Sequence, residues 1–194
     1  IDDLLDVGRI TSDRLVLRPS TVELAAVVDA AIETCRPAMD GQRHRLDVRL
    51  PAEPVTLHVD AARISQVLSN LLSNAIKYTA PGGDIDIVAT AGATGLDIRV
   101  RDSGVGIDAS VLPTIFELFV QVEQRDPTTG GLGIGLALAR QLVEMHGGHL
   151  AAASEGLGCG SEFSMWLPAS VLTDAPEVNL DQAGAGPSGT QLRV

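Results

Sequence analysis

The side chains best placed to act on a ligand lie in Asn70-Leu-Leu-Ser-Asn-Ala-Ile-Lys-Tyr-Thr79 and just before it. At about 100° per residue, Gln66, Asn70, Asn74 and Lys77 fall within an arc of about 80° on one helix face. Ile64, Val67, Leu68, Leu71 and Ala75 fall on another, and Asn74 stands where the two meet. Amide oxygens can ligate Mg²⁺ without adding negative charge beside phosphates, and a lysine ammonium supplies a point charge. Lys77 is the only lysine and Tyr78 the only tyrosine in the 194 residues. One reading is a seat for a metal-chelated polyphosphate. The plainer one is an amphipathic helix with a solvated polar side.

Two glycine stretches bear on that choice. Asp102-Ser-Gly-Val-Gly106 directly follows a strand pattern. Glycine at 104 and 106 allows positive φ and close approach to the backbone, and Asp102 offers an acceptor carboxylate suited to the exocyclic amine of adenine. An ordinary strand-exit turn closed by an Asx hydrogen bond would carry the same residues. Gly130-Gly-Leu-Gly-Ile-Gly135 opens a helix, where backbone N–H groups and the helix N-terminus can face phosphate oxygens. It is not a Rossmann loop, since Arg125-Asp-Pro-Thr-Thr129 rather than a strand precedes it. Nor does the chain hold a Walker A loop, because its one lysine follows Ala75-Ile76. Between the two stretches, Ile115-Phe-Glu-Leu-Phe119 holds two of the three phenylalanines. It reads as core packing or as a lid over a ligand.

The composition sets the frame for these residues. A length of 194 fits one domain plus flanks, and 45% hydrophobic against 20% charged residues supports a packed core. Aromatics are 3%, so the core must be aliphatic. A net charge of −11 opposes generic nucleic-acid binding. Cys35 and Cys159 form no CxxC pair, which argues against a disulfide framework or zinc site and for a reducing, cytoplasmic setting. No apolar run is long enough to span a membrane, so no membrane contact is expected from this segment. The chain opens at Ile1 without Met and reads as a fragment of a longer protein, with a membrane anchor of that parent left open.

The periodicity predicts the positioning elements in order. Ile1–Ile10 reads as the last turns of a helix, Leu15–Leu17 as a short strand, and Ser20-Thr-Val-Glu23 as a capping box opening a helix that ends near Pro37. Strands are expected at 45–50 and 55–59, then the central helix over 61–78, capped by Asp60. Strands at 84–88 and 96–101 are spaced to pair as a hairpin. A helix over 134–145 and strands at 149–153 and 161–167 follow. From Asp174 to Gly189 the composition turns to Ala, Gly, Pro and Asp with little to bury, which reads as a linker. The order implies an α+β fold, a two-layer sandwich with three helices on one face of a mixed, mostly antiparallel sheet.

With the motifs in place, Asn70–Thr79, Asp102–Gly106, Phe116–Phe119 and Gly130–Leu136 resemble the N, G1, F and G2 boxes of sensor histidine kinases, in the family's order and spacing. Gly158-Cys-Gly-Ser-Glu-Phe163 resembles the final glycine box. The resemblance implies the Bergerat ATP-binding fold with an ATP lid. It implies ATP and Mg²⁺ as ligands, with Asn74 the main metal ligand and Asn70 supporting it. Lys77 would contact phosphate, Tyr78 would lie near the nucleotide, and Asp102 would accept from the adenine amine, with Gly104 and Gly106 shaping that pocket. Gly131, Leu132, Gly133, Gly135 and Leu136 would border the phosphates. Ser161 stands where threonine is commoner and keeps the hydroxyl.

The resemblance further implies residues 1–13 as the end of a dimerisation and phosphoacceptor hairpin, 14–168 as the ATP-binding domain, and 169–194 as a linker. The partners implied are that upstream domain, in a homodimer, and a response regulator or receiver domain. Gln191–Val194 would suit the first strand of such a receiver. ATPases of the superfamily, as the resemblance implies, carry a water-activating Glu one turn before the metal Asn. Asn70 holds that position here and cannot act as a general base. This favours phosphoryl transfer to a histidine over hydrolysis. His44, His58, His146 and His149 lack the acidic follower of an acceptor box, so the acceptor is expected upstream of residue 1. A non-catalytic nucleotide-binding module, and a serine kinase or ATPase of the same fold, are the alternatives.

Overall fold

A computed structural model describes residues 15–118, 120 and 133–173. Within them, a five-stranded sheet runs in the order β2 (Arg45–Arg49), β4 (Asp84–Gly92), β5 (Gly95–Asp102), β7 (Ser161–Pro168), β6 (His149–Ala153). The β4–β5, β5–β7 and β6–β7 pairs are antiparallel, and β2 lies parallel to β4. A smaller sheet joins β1 (Ser20–Glu23), β3 (Thr56–Val59) and β8 (Leu172–Thr173). Helices α1 (Leu24–Gln42), α2 (Ala61–Tyr78) and α3 (Gly135–Met145) share one core with the inner sheet face. This is the expected α+β sandwich.

Alternation along the strands decides which side chains reach that core. Leu96, Ile98 and Val100 of β5 are buried, as are Phe163, Met165 and Leu167 of β7 and Ile85, Ile87 and Ala89 of β4. The same period turns Asp102, 5% exposed, toward the helical side at the end of β5. The register sets Asp102 opposite Ser161 on one neighbour and Ile85 on the other. A carboxylate therefore ends a row of aliphatic side chains.

Helix α2 has the expected bounds. Its N-cap Asp60 accepts the Arg63 N–H at 3.2 Å, a cap worth about 1 kcal/mol. The second carboxylate oxygen of Asp60 accepts the Arg18 N–H at 2.9 Å. Ile64, Val67, Leu68, Leu71, Leu72, Ala75 and Ile76 are buried. Helices α2 and α3 are tied twice. Near the start of α2, the Asp60 N–H donates to His146 Nε2 at 3.1 Å, while His146 Nδ1 donates to the Leu142 carbonyl at 2.7 Å. Nearly three turns further on, Asn70 Nδ2 donates to the Gly135 carbonyl at 3.2 Å. The helices thus run antiparallel, with the start of α3 held against Asn70.

Three local expectations are corrected. Leu15–Leu17 forms no strand; the strand is Ser20–Glu23, paired with Thr56–Val59. The Ser20–Glu23 capping pattern is accordingly not a cap: Glu23 is the N-cap and makes no side-chain bond. Tertiary pairing of β-prone Thr21 and Val22 outweighs a local capping preference. Helix α1 does not end at Pro37 but runs to Gln42. Pro37 lies on the exposed side, where water can take the carbonyl it frees, and burial of Met39 at 4% exposure draws the helix onward. Arg43, in the left-handed region at φ 57°, then closes α1 with its N–H on the Asp40 carbonyl at 3.0 Å. The fold also continues past Pro168: Val171 is buried and Leu172–Thr173 pair with β3.

Candidate functional site

The site is assembled from three places in the chain, two that meet the C-terminal half of α2 and one bonded to the first of them. The first is the turn after β5. Asp102 Oδ1 accepts the Gly104 N–H at 2.8 Å, and Oδ2 accepts the Ser161 hydroxyl at 2.5 Å. A carboxylate has about four acceptor positions, so both oxygens retain capacity for a further donor. Among the described residues no cation pairs with it. A buried carboxylate held by neutral donors in this way can accept a further N–H.

Glycines let the backbone close round that carboxylate. A Cβ on Gly104 would lie 2.3 Å from the Tyr78 carbonyl oxygen and 2.7 Å from Asp102 Oδ1. One on Gly106, where φ is 72°, would lie 2.0 Å from the Gly156 oxygen. No other residue fits either position. The Val105 N–H donates to the Tyr78 carbonyl at 3.0 Å, which fastens the turn to the end of α2.

The second place is the loop before β7. Gly160 N–H donates to the Gly104 carbonyl at 3.1 Å and Gly158 N–H to the Val105 carbonyl at 2.7 Å. Ser154 Oγ donates to the Gly160 carbonyl at 2.7 Å and accepts the Ile107 N–H at 3.0 Å. Ser154 and Gly160 are residues that the motifs did not single out as part of the site. Gly160 lay inside the quoted glycine box, whereas no sequence signal marked Ser154.

The third place is the start of α3. Gly133 has φ 68°, and the Gly135 carbonyl meets the Asn70 amide. Asn70 and Tyr78 stand eight residues apart on α2, about 12 Å along its axis. One helix therefore carries both ends of the site: the Asp102 turn at Tyr78, and the α3 start at Asn70, with Asn74 half-buried between them. Lys77 is exposed; its ammonium lies 4.9 Å over the Tyr78 ring and 3.4 Å from the Tyr78 hydroxyl. Leu136 packs half-buried against the core. Gly131 and Leu132 lie outside the described residues.

Of the proposed lid, Phe119 also lies outside the described residues. Phe116 packs edge-on against Phe163 of β7, ring centroids 6.2 Å apart, and so contributes to the core. No cluster of three or more His, Cys, Asp or Glu side chains suited to a metal occurs among the described residues. The donor set on α2 is amides. That chemistry fits a hard cation which takes one or two protein oxygens and completes its shell from phosphates and water.

Residues 59–171 match the family described as histidine kinase-, DNA gyrase B-, and HSP90-like ATPase. The circadian input-output histidine kinase CikA of Synechococcus elongatus is 33% identical over 191 residues, 96% of this chain and 25% of that protein. The sensor protein KdpD of Escherichia coli K12 is 33% identical over 182 residues, 93% of this chain and 20% of that protein. This chain thus spans a quarter or less of the length of these two relatives. The crystal structure of full-length ShkA in complex with AMPPNP superposes with a TM-score of 0.78 at 28% identity, covering 90% of this chain and 35% of that one. The Acinetobacter baumannii histidine kinase AdeS shares the fold at a TM-score of 0.70 and 23% identity, over 86% of this chain and 75% of that one. The chain belongs to the histidine kinase-, DNA gyrase B- and HSP90-like ATPase family, and it is homologous to the ATP-binding catalytic domains of two-component sensor histidine kinases.

Proposed function

We propose that this chain binds Mg·ATP between α2 and the start of α3 and presents the γ-phosphoryl group to a histidine on a dimerisation domain upstream of residue 1. The observation that carries this reading is the buried Asp102 carboxylate, held by Gly104 and Ser161 and fastened through Val105 to the same helix that bears Asn70 and Asn74. Asp102 accepts the exocyclic amine of adenine, and Gly104 and Gly106 leave room for the base. Tyr78 borders the nucleotide, and Lys77 swings from the Tyr78 ring to a phosphate. Gly131, Leu132, Gly133, Gly135 and Leu136 border the phosphate groups.

Asn74 is the main ligand of Mg²⁺ and Asn70 supports it; the metal neutralises the phosphates and fixes their geometry when bound. The neutral amide of Asn70 cannot take a proton from water, so the site holds the nucleotide for transfer to an acceptor. On this reading residues 1–13 end the acceptor hairpin, the nucleotide-binding domain runs from 14 through Thr173, where β8 pairs with β3, and the residues after it lead toward a receiver domain or response regulator. The setting is cytoplasmic, in a parent protein that assembles as a homodimer. No helix among the described residues is long and apolar enough to cross a membrane.

The test is a titration of the chain with a fluorescent ATP analogue, with and without Mg²⁺. The wild type is expected to bind in a Mg²⁺-dependent manner, and Asn74→Ala to lose that dependence while its circular dichroism and melting curve stay unchanged. An Asn74→Ala affinity equal to wild type in Mg²⁺ would reject the ligand role.

A further inference from the structure

Thr79, the residue that closes α2, carries an anomaly that the nucleotide-site residues named above do not explain. Its side chain is 6% exposed, and its hydroxyl oxygen is buried with no hydrogen-bond partner among the described residues. Buried hydroxyls almost always find a partner, and one left without is costly. Valine has the same shape and no such cost, so packing alone gives no reason for threonine here.

Its position supplies one. The Tyr78–Thr79 peptide is the floor under the Asp102 turn: the Tyr78 carbonyl takes the Val105 N–H at 3.0 Å and presses against Gly104. The Thr79 methyl Cγ2 faces Gly83, where it would lie 2.3 Å from an added Cβ. Methyl and hydroxyl diverge from one carbon, so the hydroxyl is turned away from Gly83. Ser103, next to Gly104, borders the same glycine, its Oγ 3.1 Å from that Cβ position. The unpartnered hydroxyl thus lies one peptide from the backbone that packs on Asp102.

We propose that Thr79 is a further purine-recognition residue, whose hydroxyl finds its partner when the pocket is loaded, on the edge of the base or on one water held between that edge and Asp102. The proposal rests on the reading that Asp102 receives adenine. It assigns base selectivity to two side chains, one on β5 and one at the end of α2. Because the hydroxyl has no partner to lose among the described residues, its removal weakens ligand binding without weakening the fold.

Calorimetric titration of the chain with ADP and with GDP in Mg²⁺, beside thermal melts, tests this for Thr79→Val. The variant should melt no lower than wild type, bind ADP about tenfold more weakly, the size of one neutral hydrogen bond, and discriminate less between ADP and GDP. Thr79→Ser and Thr79→Ala form a second pair that differs only in the hydroxyl, and Ser should bind ADP about tenfold better than Ala. Equal ADP affinity within that pair, or wild-type affinity and selectivity in Thr79→Val, would overturn the proposal and leave the nucleotide-site reading standing. A wild-type chain that binds no ADP would bring down both.

Discussion

At the scale of single residues, Asp102 shows how a charged group is made useful by what surrounds it. Its carboxylate ends an inward-facing row of β5, where burial would be prohibitive without donors. Gly104 N–H and the Ser161 hydroxyl meet that need with two neutral bonds and leave acceptor capacity over. Asp102→Asn keeps the shape and one acceptor oxygen but removes the charge. It should lower ADP affinity by about 10- to 100-fold, the span of a hydrogen bond to a charged group, with little change in melting temperature. Calorimetry on the variant checks this; unchanged affinity would place the base elsewhere. The two cysteines differ for a related reason. Cys35 is 7% exposed, its Sγ lies 3.6 Å from the Ser69 carbonyl, and burial raises its pKa. Cys159 is exposed. A thiol reagent at pH 8 should therefore label one cysteine of the native chain quickly and the second only on unfolding. Two fast equivalents in native buffer would contradict the packing of α1 on α2.

At the scale of elements, α2 is the part that others are attached to. It receives α3 at both ends, through His146 on the Asp60 N–H and through Asn70 on the Gly135 carbonyl, and it receives the β5 turn at Tyr78. His146 acts in a single tautomer, Nδ1 donating and Nε2 accepting, so both ring nitrogens are committed to structure. His146→Phe would strand the Asp60 N–H and the Leu142 carbonyl. It should cost about 1–3 kcal/mol in urea denaturation. The nucleotide end of α2 begins ten residues later, so affinity for ADP should stay within twofold. A large affinity loss would mean that the far tie holds the site in place. The central helix and the five strands of the main sheet were legible from period and caps, because each has a long apolar pattern. Ser20–Glu23 was misread because its partner, Thr56–Val59, lies more than thirty residues away, and a four-residue pattern does not contain its partner. Pro37 was misread because a proline on a solvated helix face costs less than the burial of Met39 returns.

At the scale of the whole molecule, the proposed reading gives the chain a nucleotide seat and puts the acceptor outside it, since none of His44, His58, His146 and His149 is followed by an acidic residue. His44 sets Nε2 against the Ile76 carbonyl at 3.2 Å, His149 stacks on Trp166 with centroids 5.0 Å apart, and His146 is engaged on both nitrogens. Incubation of the chain with γ-labelled ATP should leave it without acid-labile label and show no steady turnover, since Asn70 cannot activate water. Label on the protein would overturn this, and steady phosphate release would restore a hydrolase reading. The candidate donor groups were determined by the sequence alone: amides at 70 and 74 and a carboxylate before two glycines are covalent facts, and helical and strand periods are local. What only the tertiary structure decided is which of these groups face one another. The Asp102–Ser161 bond, the Gly104 contact with Tyr78 and the Asn70–Gly135 tie all join residues that their local pattern leaves unrelated. Such contacts follow from strand register and helix docking, which the global burial of apolar surface sets and no window of neighbouring residues encodes.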